Sequence, residues 1–214
     1  MFRFTSNEIR DLFISFLVIS FGFALVFSNR DFSIVWQILP IAMVGVGVGF
    51  ILHEIAHKFA SIHYGYWAEF KLWPQGLILA LITSFMGFIF AAPGAVYTYA
   101  NTITKRENGV ISLAGPVTNI IIAIIFLLLS VLIYPFIIVS GGTGVIIFMT
   151  FSLGFTINSY LALFNLIPFL GLDGEKVIKW NPIIWIATVL VSGYMTYIGM
   201  FGQFEAIIQT ILGF

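Results

Sequence analysis

His53-Glu54-Ile55-Ala56-His57 sets two imidazoles four residues apart with a carboxylate between them. On a helix that spacing stacks the rings one turn apart on one face, where both reach a single ion while Glu54 projects beside it. The chemistry this suits is hydrolysis. A metal lowers the pKa of a water and polarises a carbonyl, while the glutamate takes the water's proton and passes it to a leaving amine. A catalytic zinc site uses three protein ligands and keeps a fourth position open, so one Zn2+ per chain calls for one ligand more. The chain has no cysteine, which leaves histidine or a carboxylate.

Two residues qualify. His63 lies ten residues after His53, but Ala60 offers no helix break between them. On an unbroken helix His63 would be about 15 Å farther along and turned by about 80°. Asp173 is therefore preferred, provided the topology carries it to the same membrane face. A His-Glu-x-x-His match on a soluble helix is often a solvated coincidence. Here the surroundings are apolar, and each ionisable group near the bilayer interior costs about 2.5–3.5 kcal/mol, so three within five residues require a compensating partner such as a divalent cation.

The elements that must position these groups are membrane helices. Of 214 residues, 60% are hydrophobic and 8% charged, and the mean hydropathy is +1.08. This excludes an ordinary soluble domain and gives no reason to expect a nucleic-acid partner. Apolar runs are read at 11–28, taken as an anchoring helix rather than a removed signal peptide, and at 34–62, which carries the motif. Further runs lie at 76–92, 110–139, 145–170 and 182–200, and the tail after Gly202 is too short to cross. Gly45 and Gly49 supply small faces for helix packing.

The 76–92 run decides the topology. If it crosses, Asp173 and His53 lie on opposite faces, and Lys and Arg divide four against five. If it dips in and returns, eight of the nine, including Lys58, share one face and only Arg30 lies on the other. A re-entrant element or immersed β-hairpin near 64–92 is predicted, with its backbone buried in protein or lining a water-filled cavity. The fold expected is an all-α polytopic membrane protein of about five to six transmembrane helices, one domain over 1–214 with its core at 34–180. The charge-rich face is expected to be cytoplasmic, in the cell membrane, with the metal nearer that side.

Three motifs in order resemble the site-2 protease family of intramembrane zinc metalloproteases. They are His53-Glu54-Ile55-Ala56-His57, followed by Tyr64-Gly65; Ala114-Gly115-Pro116-Val117-Thr118-Asn119; and Asn165-Leu166-Ile167-Pro168-Phe169-Leu170-Gly171-Leu172-Asp173-Gly174. The resemblance implies a zinc endopeptidase cutting membrane-spanning protein substrates, with Asp173 as third ligand and Asn165 holding substrate backbone or the oxyanion. An amide donor suits a developing negative charge. Pro168 is expected to kink the helix and turn Asp173 toward the metal, with Gly174 relaxing the next turn and Asn119 bonding across helices. A substrate helix would have to unwind and add its backbone as a strand beside the 64–92 segment. Two other readings are a metal or proton transporter, for which the carboxylates are too few, and a non-catalytic scaffold binding transmembrane partners, which intact Glu54 argues against.

Overall fold

The computed structural model describes residues 3–213; Met1, Phe2 and Phe214, the ends of the predicted domain, lie outside the described residues. The elements run α1 (Ser6–Phe27), α2 (Phe32–His63), β1 (Trp67–Leu72), α3 (Pro74–Phe85), β2 (Gly94–Tyr99), α4 (Lys105–Ile133), a 3-10 turn (Tyr134–Phe136), α5 (Ile137–Asn165), α6 (Asp173–Trp180), α7 (Pro182–Met200) and α8 (Phe204–Leu212). Five helical spans are long and apolar enough to cross a membrane: α1, α2, Lys105–Phe136, Gly141–Asn165 and α7. The chain is an all-α polytopic membrane protein, with five spans among the described residues.

Local sequence sets the boundaries. Thr5 and Glu8 form a capping box on α1, and Thr104 and Glu107 form one on α4. Asp31 caps α2 through the Ser33 N–H. The break expected at 140–144 is a Gly141 kink (φ 58°, ψ −140°), and α5 resumes at once beyond it. Gly45 packs against Gly154 and Ile157, and Gly49 against Asn158, so α2 and α5 approach as the small faces predict.

The 64–92 segment is both alternatives at once. β1 and β2 pair antiparallel from Trp67↔Tyr99 to Leu72↔Gly94, and between them the chain makes the 12-residue helix α3 and returns. Trp73 N–H donates to Pro93 O at 2.7 Å, closing the base of this excursion. At about 1.5 Å per residue α3 is too short to cross. The second strand, Gly94–Tyr99, lies wholly beyond the predicted limit at 92, because the chain leaving α3 runs through 91–93 outside any helix or strand before it pairs with β1.

Three expectations need correction. First, α5 ends at Asn165, so Pro168 kinks no helix. The residue before a proline is pushed out of the α region, and the helix stops ahead of it. Leu170 (φ 63°) and Gly171 (φ 73°) then turn the chain into α6. Second, Gly174 does not simply relax a turn: a Cβ there would collide with the Leu166 carbonyl, so α6 needs glycine to pack on the end of α5. Third, Lys58 is not a cation of the charge-rich surface. It is 1% exposed and ion-paired with Glu8, which is equally buried.

Candidate metal centre

α2 carries His53, Glu54 and His57 on its inward face, at 4%, 7% and 7% exposure. The two Nε2 atoms stand 2.9 Å apart. His57 Nδ1 donates to Ile111 O at 2.8 Å. A carbonyl can only accept, so Nδ1 carries a proton and Nε2 is the atom left to face the site. His53 Nδ1 meets Asn119 Oδ1. Both rings are thus held from α4, which comes so close that a Cβ on Gly115 would collide with Nε2 of either histidine.

α6 supplies the third group. Asp173 opens that helix, its Oδ2 lying 3.1 Å from His57 Nε2 and 3.4 Å from His53 Nε2. Burial pushes its carboxyl up, but the His57 and His53 rings outweigh that and hold it below the ordinary carboxylate range. One ligand atom from each of the three residues falls within a 4.8 Å cluster. For zinc bonds of about 2.0–2.2 Å, tetrahedral ligands sit about 3.3–3.6 Å apart; the 3.4 Å His53–Asp173 edge matches that, and the 2.9 and 3.1 Å edges would widen slightly to take one ion. Two ring nitrogens and a carboxylate oxygen converging in a buried space also need a cation or a shared proton between them.

Glu54 Oε2 is buried and has no hydrogen-bond partner among the described residues. An orphaned carboxylate oxygen is costly unless something occupies the space beside it. Glu54 also lines a cavity of about 390 Å³, together with the two histidines, Asn165, Asp173 and the β2 segment from Gly94 to Thr98. Lys176 stands at its rim, 3.9 Å from Asp173 Oδ1 and donating to Gly171 O at 3.0 Å. Asn165 reaches the cavity while its Nδ2 donates to Leu161 O of its own helix at 2.9 Å. His63 lies away at the exposed end of α2, its ring against Tyr64, and is not part of the cluster.

Among the described residues, the strands present one open edge. Phe70 N–H donates to Glu8 Oε1 at 3.1 Å and Leu72 N–H to Asp11 Oδ2 at 3.3 Å, so α1 covers the outer edge of β1. Their partners across the ladder are Val96 and Gly94. In such pairs both residues point their backbone groups away from each other, which turns Gly94 and Val96 to the cavity side.

Asn158, Gly115 and the Ile111 carbonyl are contributors that motif reading did not assign to the site. An asparagine in an apolar run is itself a signal, since a polar side chain there needs a partner. A carbonyl acceptor leaves none.

Among known proteins, "Putative zinc metalloprotease MJ0611" of Methanocaldococcus jannaschii is 44% identical over 199 residues, covering 92% of this chain and 97% of the relative. "Putative zinc metalloprotease YwhC" of Bacillus subtilis is 31% identical over 157 residues, covering 67% of this chain and 69% of its own. No family profile and no solved structure matches. With the similarity running nearly end to end, the chain belongs to the zinc metalloprotease family of these relatives.

Proposed function

We propose that this chain is an intramembrane-cleaving zinc endopeptidase of the site-2 protease kind, a single protease domain over 1–214 that cuts membrane-spanning protein substrates within the bilayer. The observation that carries the proposal is the convergence of His53, His57 and Asp173 beside an unpartnered Glu54 oxygen, inside a bundle of apolar spans. His53, His57 and Asp173 hold one zinc ion, which supplies a Lewis acid able to acidify water and polarise a peptide carbonyl.

The remaining work falls to the protein's own side chains and backbone. Glu54 accepts a proton from the attacking water through its free Oε2 and returns it to the leaving amine. Asn165, in the same cavity, donates from its amide to substrate backbone or to the developing oxyanion, exchanging its bond to Leu161 O for that one. An intact substrate helix hides its carbonyls behind its own hydrogen bonds. The substrate therefore unwinds and pairs along the open edge of β2, where Gly94 and Val96 offer backbone groups beside the ligands.

In this reading the cavity would open on the face expected to be cytoplasmic. With Lys58 set aside as half of a buried pair, seven of the other eight cations still fall on that side in the re-entrant topology. The test is cleavage of a transmembrane peptide by the detergent-purified protein. Activity should be abolished by a chelator, and Glu54→Gln should lower kcat by about 10²–10⁴-fold with the zinc content unchanged. Undiminished proteolysis in Glu54→Gln would sink the mechanism.

A further inference from the structure

Two asparagines sit at the middle of the bundle with no exposure at all, Asn119 on α4 and Asn158 on α5. Asn158 Nδ2 donates to Gly45 O at 3.2 Å and to Gly154 O at 2.8 Å. Carbonyls only accept, so the nitrogen must occupy that end, and Oδ1 must point the other way. There it accepts from Asn119 Nδ2 at 3.0 Å, and the same nitrogen donates to Gly49 O at 3.2 Å. Asn119 is thereby oriented in turn, with Oδ1 directed at His53 Nδ1. An amide oxygen cannot donate, so the hydrogen in this bond belongs to the ring.

We infer that Asn158 and Asn119 form a relay that holds His53 in its Nδ1–H tautomer, leaving Nε2 bare toward His57 and Asp173, and that both are positioning residues for the site. The direction of every bond in the relay is fixed at its far end by the backbone carbonyls of Gly45, Gly49 and Gly154. The glycine at 49 is needed for it: a Cβ there would collide with Asn158 Oδ1. His57 receives the same instruction from Ile111 O in one step. His53 Nδ1 instead meets a side chain, so its tautomer depends on how that side chain is oriented. The inference rests on the reading that His53 Nε2 is a ligand atom. Ring orientation by an outer hydrogen bond is typically worth about 10–100-fold in metal affinity.

Interhelical adhesion alone would account for buried asparagines, and it makes the opposite prediction. If Asn119 only joined helices, Leu, apolar and of similar size, would be better tolerated than Asp in this apolar setting. If it positions His53, Asp keeps the acceptor and Leu removes it. The experiment uses metal-free full-length protein carrying 15N-histidine, with tautomers read from ring nitrogen shifts in mildly alkaline buffer, and zinc affinity measured separately. His53 should be in the Nδ1–H form in the unmodified chain and in Asn119→Asp. Asn119→Leu should populate the Nε2–H form and lose about 10–100-fold in zinc affinity. Gly49→Ala, which alters neither asparagine, should give a mixed tautomer and an intermediate loss, and it tests the relay even if Asn119→Leu fails to fold. An Nε2–H tautomer in the unmodified protein, or a His53 unchanged in Asn119→Leu or Gly49→Ala, overturns the inference. Tautomers that shift as expected while zinc affinity stays level in every variant, Asp173→Ala included, would refute the metal reading and leave the relay standing.

Discussion

Val96→Pro is the sharpest test of how substrate is held. Val96 pairs with Phe70, whose N–H is directed to Glu8 on α1, so the Val96 N–H points away from β1 and into the cavity edge. Proline there removes one donor from the open edge and leaves the β1–β2 bonds in place, a substitution that edge strands tolerate. A substrate carbonyl docked against that position would lose its partner in a largely dehydrated site, at a cost of about 1–3 kcal/mol. In kcat/KM that is roughly a 5- to 150-fold loss. The assay is cleavage of a transmembrane peptide in detergent, with Val96→Ala as the control for the lost side chain. Zinc content should match the parent in both variants. Tyr97→Pro is the complementary variant, because Tyr97 faces Glu69 across the ladder and proline there breaks the sheet itself. Equal activity of Val96→Pro and Val96→Ala, within about two-fold, would refute strand addition on β2, since it lies below the smallest loss expected.

Asp173→Ala should lose zinc and His63→Ala should keep it, as measured by metal analysis after dialysis; a full zinc complement in Asp173→Ala would remove Asp173 from the ligand set. Gly115→Ala should also empty the site despite alanine's better helix propensity, since its Cβ has no room beside the two Nε2 atoms. Lys58→Met should destabilise the protein by about 3 kcal/mol in mixed-micelle unfolding, because it strands a buried carboxylate. Glu8→Leu should cost more, since it takes the carboxylate from the buried ammonium and also frees the Phe70 N–H; the reverse order would contradict the assigned contacts. Acidification should release zinc, because protons compete for the two bare ring nitrogens, and zinc held undiminished well below the histidine range would count against imidazole ligation.

Composition and spacing made the local features of this chain legible. Hydropathy located all five spans, and the His53–His57 spacing located the centre, because both signals lie in neighbouring residues. Charge distribution placed Asp173 with the histidines over 116 residues of chain, since the dip at α3 is the arrangement that gathers the cations on one face. Contacts that turn on side-chain direction were not legible. Glu8 precedes the apolar run read at 11–28 and Asp11 opens it, yet both lie within α1 and turn inward to the β1 edge. Lys58 read as a surface cation because its partner is 50 residues away. Pro168 read as a helix kink, whereas the helix ends at Asn165 and the Leu166 carbonyl is taken up by Trp185 Nε1 at 2.8 Å. Asn158 carried a signal in its polarity but no clue to its partner, which lies on another helix.

In the proposed function, the small sheet is what would let the helical bundle grip a peptide. A helix satisfies its own backbone and has nothing to offer an extended chain, whereas an isolated pair of strands has two unpaired edges that apolar surroundings penalise. Here the two edges receive opposite treatment. Glu8 and Asp11, three residues apart on one face of α1, present carboxylate acceptors to alternate N–H groups of β1 and close that side. The β2 edge is left toward the cavity that also holds Glu54 and the ligand cluster. The burial of Glu8 against Lys58, one residue beyond His57, joins the closed edge to the helix that carries the histidines. The polar groups of α1 thus fix which edge stays open, and they fix it beside the metal ligands.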